Sequence, residues 1–191
     1  MNIQSRYPTT PDEFLRWNED REGKREFVRG RVVELMINTT RNHVRLASRL
    51  IVSLSRSLDL AIYDVGSADF GVRTPDGVRY PDVFVDRRGP GSQGSDLAAT
   101  APVLLVEVLS PSSVGRDFVE KLADYSGLPT LIHYLILSQD EPRAWLWSRL
   151  ENGAWPAKPH EIAGNEDTIA LSGLGLSIPM AELYAGVELR S

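Results

Sequence analysis

The chain has 191 residues, 42% of them hydrophobic, with a net charge of -5 and no cysteine. That length and apolar content fit one domain over residues 1–191, able to bury roughly 70% of its unfolded surface, and the lack of cysteine excludes disulfides, thiolate zinc sites and cysteine nucleophiles together. The acidic balance argues against a general nucleic-acid-coating protein; with neither a signal-peptide core nor an apolar run near the ~20 residues of a membrane span, the expectation is a cytoplasmic protein with no membrane partner.

Thr9-Thr-Pro-Asp-Glu-Phe-Leu-Arg-Trp17 predicts a short helix: a capping residue, a proline suited to the first turn, and acids where the helix dipole favours them. Residues 25–35 predict a hairpin turned at Arg29-Gly30, where glycine supplies a positive φ. Val44, Ala47, Leu50, Ile51, Leu54 and Leu58 recur with the 3.6-residue period and predict the longest helix over about 42–58. Residues 65–72 read as a strand, 74–78 as a turn, and Tyr80-Pro-Asp-Val-Phe-Val85 as the next strand. After a loop at 87–100, residues 103–109 form an apolar run like a central strand covered on both faces. Ser110-Pro-Ser-Ser then caps a helix over about 115–126. Strands follow at 131–137 and 144–150, with a turn at Asn152-Gly153; the tail at 169–187 holds a short strand and a closing helix. The layout is α/β or α+β, a mixed central sheet flanked by helices.

Two acids stand out. Asp82 and Glu107 lie in apolar strand-like runs, and a carboxylate left unpaired in such a place costs several kcal/mol, so each implies a cation, a metal or a raised pKa. If the two strands pair, the carboxylates meet, and two acids without histidine or cysteine suit Mg2+ or Mn2+ better than Zn2+. Lys121 is one of three lysines against eighteen arginines. It is either a site cation that assists attack by water and stabilises charge on phosphorus, or half of a surface i, i+4 pair with Asp117. Tyr125 shares its helix face. Arg41, Arg45, Arg49 and Arg56 recur at near-helical spacing, as a phosphate-facing stripe or as a solvated face.

Arg25-Glu-Phe-Val-Arg-Gly-Arg-Val-Val33, Tyr80-Pro-Asp-Val83, Val106-Glu-Val-Leu-Ser-Pro-Ser112 and the stretch from Asp117 through Lys121 to Tyr125 together resemble the Uma-type restriction-endonuclease family of the PD-(D/E)XK nuclease superfamily. The resemblance covers about residues 10–185. It implies a restriction-endonuclease-like core and a metal-dependent endonuclease acting on DNA. By position, Asp82 and Glu107 match the acids that hold the metal, Mg2+ or Mn2+. The superfamily's lysine two residues after the second acid is replaced by Leu109, and the resemblance assigns its role to Lys121. Glu26 matches the acid before the hairpin turn, an auxiliary ligand; as an ordinary strand-edge carboxylate it would pair with Arg29 or Arg31. His43 stands where the family often has a histidine, and reads as a polar helix residue. The run Leu35-Met-Ile-Asn38 and the segment Gly127–Tyr134 depart from the family pattern. Cutting both strands favours a homodimer or higher homo-oligomer. Two rivals stand beside this reading: a nuclease-fold module that binds nucleic acid or protein with little catalysis, and a metal-free domain whose two acids pair with arginines.

Overall fold

Thr10 starts the first helix, α1 (Pro11–Asn18), with its hydroxyl accepting from the Glu13 N–H at 3.2 Å. The computed structural model describes residues 7–35, 39–109 and 117–188; the predicted cap at Ser110–Ser113, the start of the helix at 115 and the variant segment 36–38 lie outside them. Strands β1 (Lys24–Val28) and β2 (Arg31–Leu35) pair antiparallel. At their turn Arg29 has φ 47° and Gly30 φ 79°. Two left-handed central residues give the hairpin turn whose twist matches the strands. Helix α2 (Arg41–Ser57) buries Leu50 and Leu54 of the expected apolar stripe together with Leu46, whereas Val44 is exposed.

The expected strand at 65–72 is two strands in different sheets, β3 (Tyr63–Ser67) and β4 (Gly71–Thr74). A turn closed by the Phe70 N–H on the Ser67 carbonyl divides them; apolar residues on both sides concealed the break. Then come β5 (Gly77–Arg79), where a turn was expected, β6 (Val83–Arg87), β7 (Ala98–Ala99), inside the expected loop, and β8 (Pro102–Leu109). Gly77 is required: a Cβ there would lie 2.0 Å from the Phe27 carbonyl oxygen. Helix α3 (Asp117–Ser126) leads to β9 (His133–Ser138), β10 (Arg143–Ser148) and β11 (His160–Ala163). The tail holds a hairpin rather than one strand, β12 (Thr168–Leu171) and β13 (Leu176–Pro179), before α4 (Met180–Tyr184).

Five strands run in the order β2-β1-β5-β4-β7 and six in the order β11-β10-β9-β8-β6-β3. The larger sheet is mixed, with β8 parallel to β9 and antiparallel to β6, so the architecture is α+β with mixed sheets and flanking helices. All eight residues of β8 are buried. Leu104, Val106 and Val108 pack in the core with α2, while Leu105 and Leu109 pack with Tyr125 and Leu128 on the α3 side. Alternation therefore turns Glu107 toward α3. A third core sets Phe14 and Leu15 of α1 against Phe27 and Val78. No helix among the described residues is long and apolar enough to cross a membrane.

His133, 1% exposed, ties β9 to the segment before β13. The Gly173 N–H donates to its Nε2 at 3.2 Å, so the proton sits on Nδ1 and faces Ser148 Oγ at 2.8 Å. Burial pushes its pKa down to about 4. A base depressed in the folded state contributes stability that is full above the unfolded value near 6.5 and is lost as pH falls toward 4. Going from pH 7 to pH 5 should therefore cost wild type about 2 kcal/mol relative to His133→Gln, read by urea titration of both proteins so that other titrating groups cancel.

Candidate active site

Asp82 directly precedes β6, after a proline that has no N–H to give a ladder. The register pairs Val83 with Val106, which sets Asp82 across from Glu107. The Val108 N–H donates to Asp82 Oδ2 at 2.8 Å, so the two acids stand side by side at one end of the adjacent strands β6 and β8. His43 Nε2, from the first turn of α2, lies 3.0 Å from the same oxygen. Both contacts fall on Oδ2; among the described residues Oδ1 has no protein partner. Burial opposes ionisation of Asp82, but the His43 contact, the Val108 N–H and the Lys121 charge outweigh it and hold its pKa below the usual value.

Glu107 is held at both oxygens. Lys121 Nζ stands 2.9 Å from Oε2, and the Tyr125 hydroxyl donates to Oε1 at 3.0 Å. Lys121 and Tyr125 are i and i+4 on α3, on the helix face that covers Glu107. Leu109 points to the same side of β8 as Glu107. Burial pushes the Glu107 pKa up to about 7; Lys121 pulls it down and the Asp82 charge adds to the rise. For Lys121, burial works against the charged form, but the charges of Glu107, Glu26 and Asp82 raise its pKa. It is therefore a firmly protonated cation. Tyr125 is fully buried, and burial together with the neighbouring Glu107 keeps its hydroxyl protonated and donating.

Glu26 lines the same cleft of about 680 Å³ as His43, Asp82, Glu107 and Lys121, but its carboxylate is engaged elsewhere. Its Oε2 accepts from Arg79 Nη1 at 2.7 Å and its Oε1 from the Tyr80 N–H at 3.1 Å. The partner is neither Arg29 nor Arg31, as the strand-edge reading expected. Arg79 also holds Asp124 of α3 through Nε at 3.1 Å and through Nη2, and Arg29 reaches the same acid at 3.2 Å. Arg149 closes the C-terminal end of α3, donating to the carbonyls of Ser126 and Leu128. The C-terminal half of α3, which carries Lys121, is thus fixed. In the arginine stripe of α2, Arg45 donates to the Gly186 carbonyl at 2.9 Å and Arg49 to that of Leu183 at 3.4 Å; these two clamp the C-terminal segment.

Among the described residues no three or more histidine or acidic side chains converge as a metal site. A carboxylate pair with one unpartnered oxygen remains. With Asp82 ionised, the two carboxylates offer a pair of oxygen ligands that suits a hard divalent ion taking one or two carboxylates beside water and phosphate. The side chains facing the two acids are a lysine and a histidine, not arginines. His43 and Arg79 are the site residues that sequence reasoning passed over. Arg79 carried a usable signal, a charge in a short run before Tyr80-Pro81, obscured by reading residues 74–78 as a turn; for His43 the signal was its match to a family histidine, set aside in favour of a polar helix residue.

A family model described as "Uma2: Putative restriction endonuclease" matches residues 11–181. Two uncharacterized proteins of Synechocystis sp. are similar in sequence. One, slr1290, is 29% identical over 180 residues, covering 93% of this chain and 92% of that protein; the other, sll1609, is 31% identical over 153 residues, covering 76% and 84%. Among solved structures, one described as a putative nuclease belonging to DUF820 from Anabaena variabilis superposes with a TM-score of 0.75 at 14% identity, over 95% of this chain and 100% of that one, and so shares its fold. The chain belongs to the Uma2 family.

Proposed function

We propose that the protein is a metal-dependent endonuclease that hydrolyses DNA phosphodiester bonds, with Asp82 and Glu107 holding Mg2+ or Mn2+ and Lys121 acting from the helix in place of a strand lysine. The observation that carries this reading is the Lys121 ammonium at 2.9 Å from Glu107, beside an ionised Asp82 whose Oδ1 has no partner among the described residues. Family membership and the shared nuclease fold support it. Bound there, a divalent ion supplies Lewis-acid polarisation of the phosphate and a lowered pKa for a coordinated water. Asp82 presents Oδ1 because His43 and Val108 occupy Oδ2. Lys121, kept protonated by the acids around it, stabilises negative charge building on phosphorus and does not act as the base. Tyr125 orients Glu107. Glu26 acts through Arg79 to hold the helix rather than as a direct ligand.

Supercoiled plasmid incubated with the protein should be nicked in Mg2+ or Mn2+ and left intact with a chelator. No cleavage of duplex or single-stranded DNA with either ion would overturn the proposal. Because Glu107 must lose its proton to hold a cation and its pKa is pushed up to about 7, binding releases a proton below that pH. Mn2+ affinity should therefore be roughly tenfold higher at pH 8 than at pH 6, measured by calorimetry in two buffers of different ionisation enthalpy.

A further inference from the structure

The N-terminus of α2 opens on the cleft through Thr39, Thr40 and His43. Thr40 accepts from the His43 N–H at 3.2 Å; the N–H groups of Arg41 and Asn42 belong to the part of the first turn that an N-cap leaves for an outside acceptor. That turn contains no acid, and Arg41 sits at its head, so the helix dipole and the side chain add positive potential there. A second, independent feature stands at the same place. Gln139, just beyond β9, is 2% exposed and lines the cleft. Its Oε1 accepts from the Thr40 hydroxyl and its carbonyl oxygen from Asn42 Nδ2 at 3.2 Å, which fixes the amide against the helix N-terminus. Its Nε2 has no hydrogen-bond partner among the described residues. Buried donors are almost always paired, and one left over beside a polar cleft is a donor waiting for an acceptor.

We propose that Gln139 Nε2 and the first-turn N–H groups of α2 form an anion subsite that takes a phosphate of the nucleic-acid backbone next to the bond being cut. The subsite rests on the nuclease reading above and adds to it the side chain that seats the strand. The Thr40 hydroxyl accepts from the helix and donates to Gln139 Oε1, and Gln139 Nε2 is left without a partner among the described residues. Neutral donors suit this position, because they bind phosphate without competing with Lys121 for Glu107.

Inorganic phosphate is the first probe, titrated into the 15N-labelled full chain without divalent metal. The Gln139 side-chain amide should shift and saturate in the millimolar range, together with the Arg41 and Asn42 N–H signals. Gln139→Leu and Gln139→Glu are then assayed for plasmid nicking and Mn2+ binding. Gln139→Leu should raise KM about tenfold, the loss expected for one hydrogen bond to a charged acceptor, and Gln139→Glu more, with Mn2+ affinity unchanged in the neutral Gln139→Leu. A Gln139 amide that phosphate leaves unmoved, or a KM unchanged in both variants, overturns the subsite. A phosphate-induced shift in a protein that cuts no DNA retains the subsite and removes the nuclease reading.

Discussion

Asp82→Ala is expected to abolish Mg2+- or Mn2+-supported plasmid nicking, with a loss of at least about 10³-fold, the rate equivalent of roughly 4 kcal/mol. The reason is specific to this carboxylate. Asp82 is the acid kept ionised at neutral pH, by His43, the Val108 N–H and Lys121 against its burial, whereas Glu107 is half protonated near pH 7. Removing Asp82 takes away the anchoring charge of the pair and leaves His43 facing a void. Mn2+ binding should weaken in the same variant. Lys121→Met makes the contrast: cleavage should fall about 10²-fold while Mn2+ binds at least as well, since a positive charge has left the site. Nicking that survives Asp82→Ala at the wild-type rate would defeat the proposed mechanism.

Arg79→Met should destabilise the protein by about 3–5 kcal/mol, the usual cost of removing one partner from a buried ion pair. At about 2–4 °C per kcal/mol for a chain of this size, Tm should drop on the order of 10 °C. Arg79 is 8% exposed and lies between Glu26, 2% exposed, and Asp124 of α3. Without it Glu26 faces a poorly solvated space with no charge partner, and Asp124 keeps only Arg29. Arg79→Lys should fall between wild type and Arg79→Met, because one ammonium cannot span the three contacts of the guanidinium fork. Thermal unfolding of the three proteins checks the order. A loss in Arg79→Met below about 1 kcal/mol, as for exposed pairs, would mean that the network does not hold α3 to the smaller sheet.

Much of the fold follows from local rules. The Thr-Pro start of α1, the Arg29-Gly30 turn and the leucine period of α2 act over a few residues, and their elements stand where those rules put them. The strand at 65–72 does not. Its apolar residues run on through a turn, and only pairing with β6 on one side and β5 on the other divides it into β3 and β4. The β12–β13 hairpin was hidden in the same way, since short edge strands owe their form to their partner.

What the sequence determined by itself was which acids matter. An ionisable group inside an apolar strand carries its desolvation cost in any fold, so Asp82 and Glu107 declare a need for positive charge before any contact is known. Only the tertiary structure decided which side chain meets which acid. His43, Arg79 and Lys121 come from α2, β5 and α3, and their pairing depends on how helices lie across sheets, which no sequence spacing encodes. Lys121 went to Glu107 because β8 turns that acid toward α3. Glu26 went to Arg79 because β1 and β5 are neighbours, and it thereby serves the helix that carries the lysine.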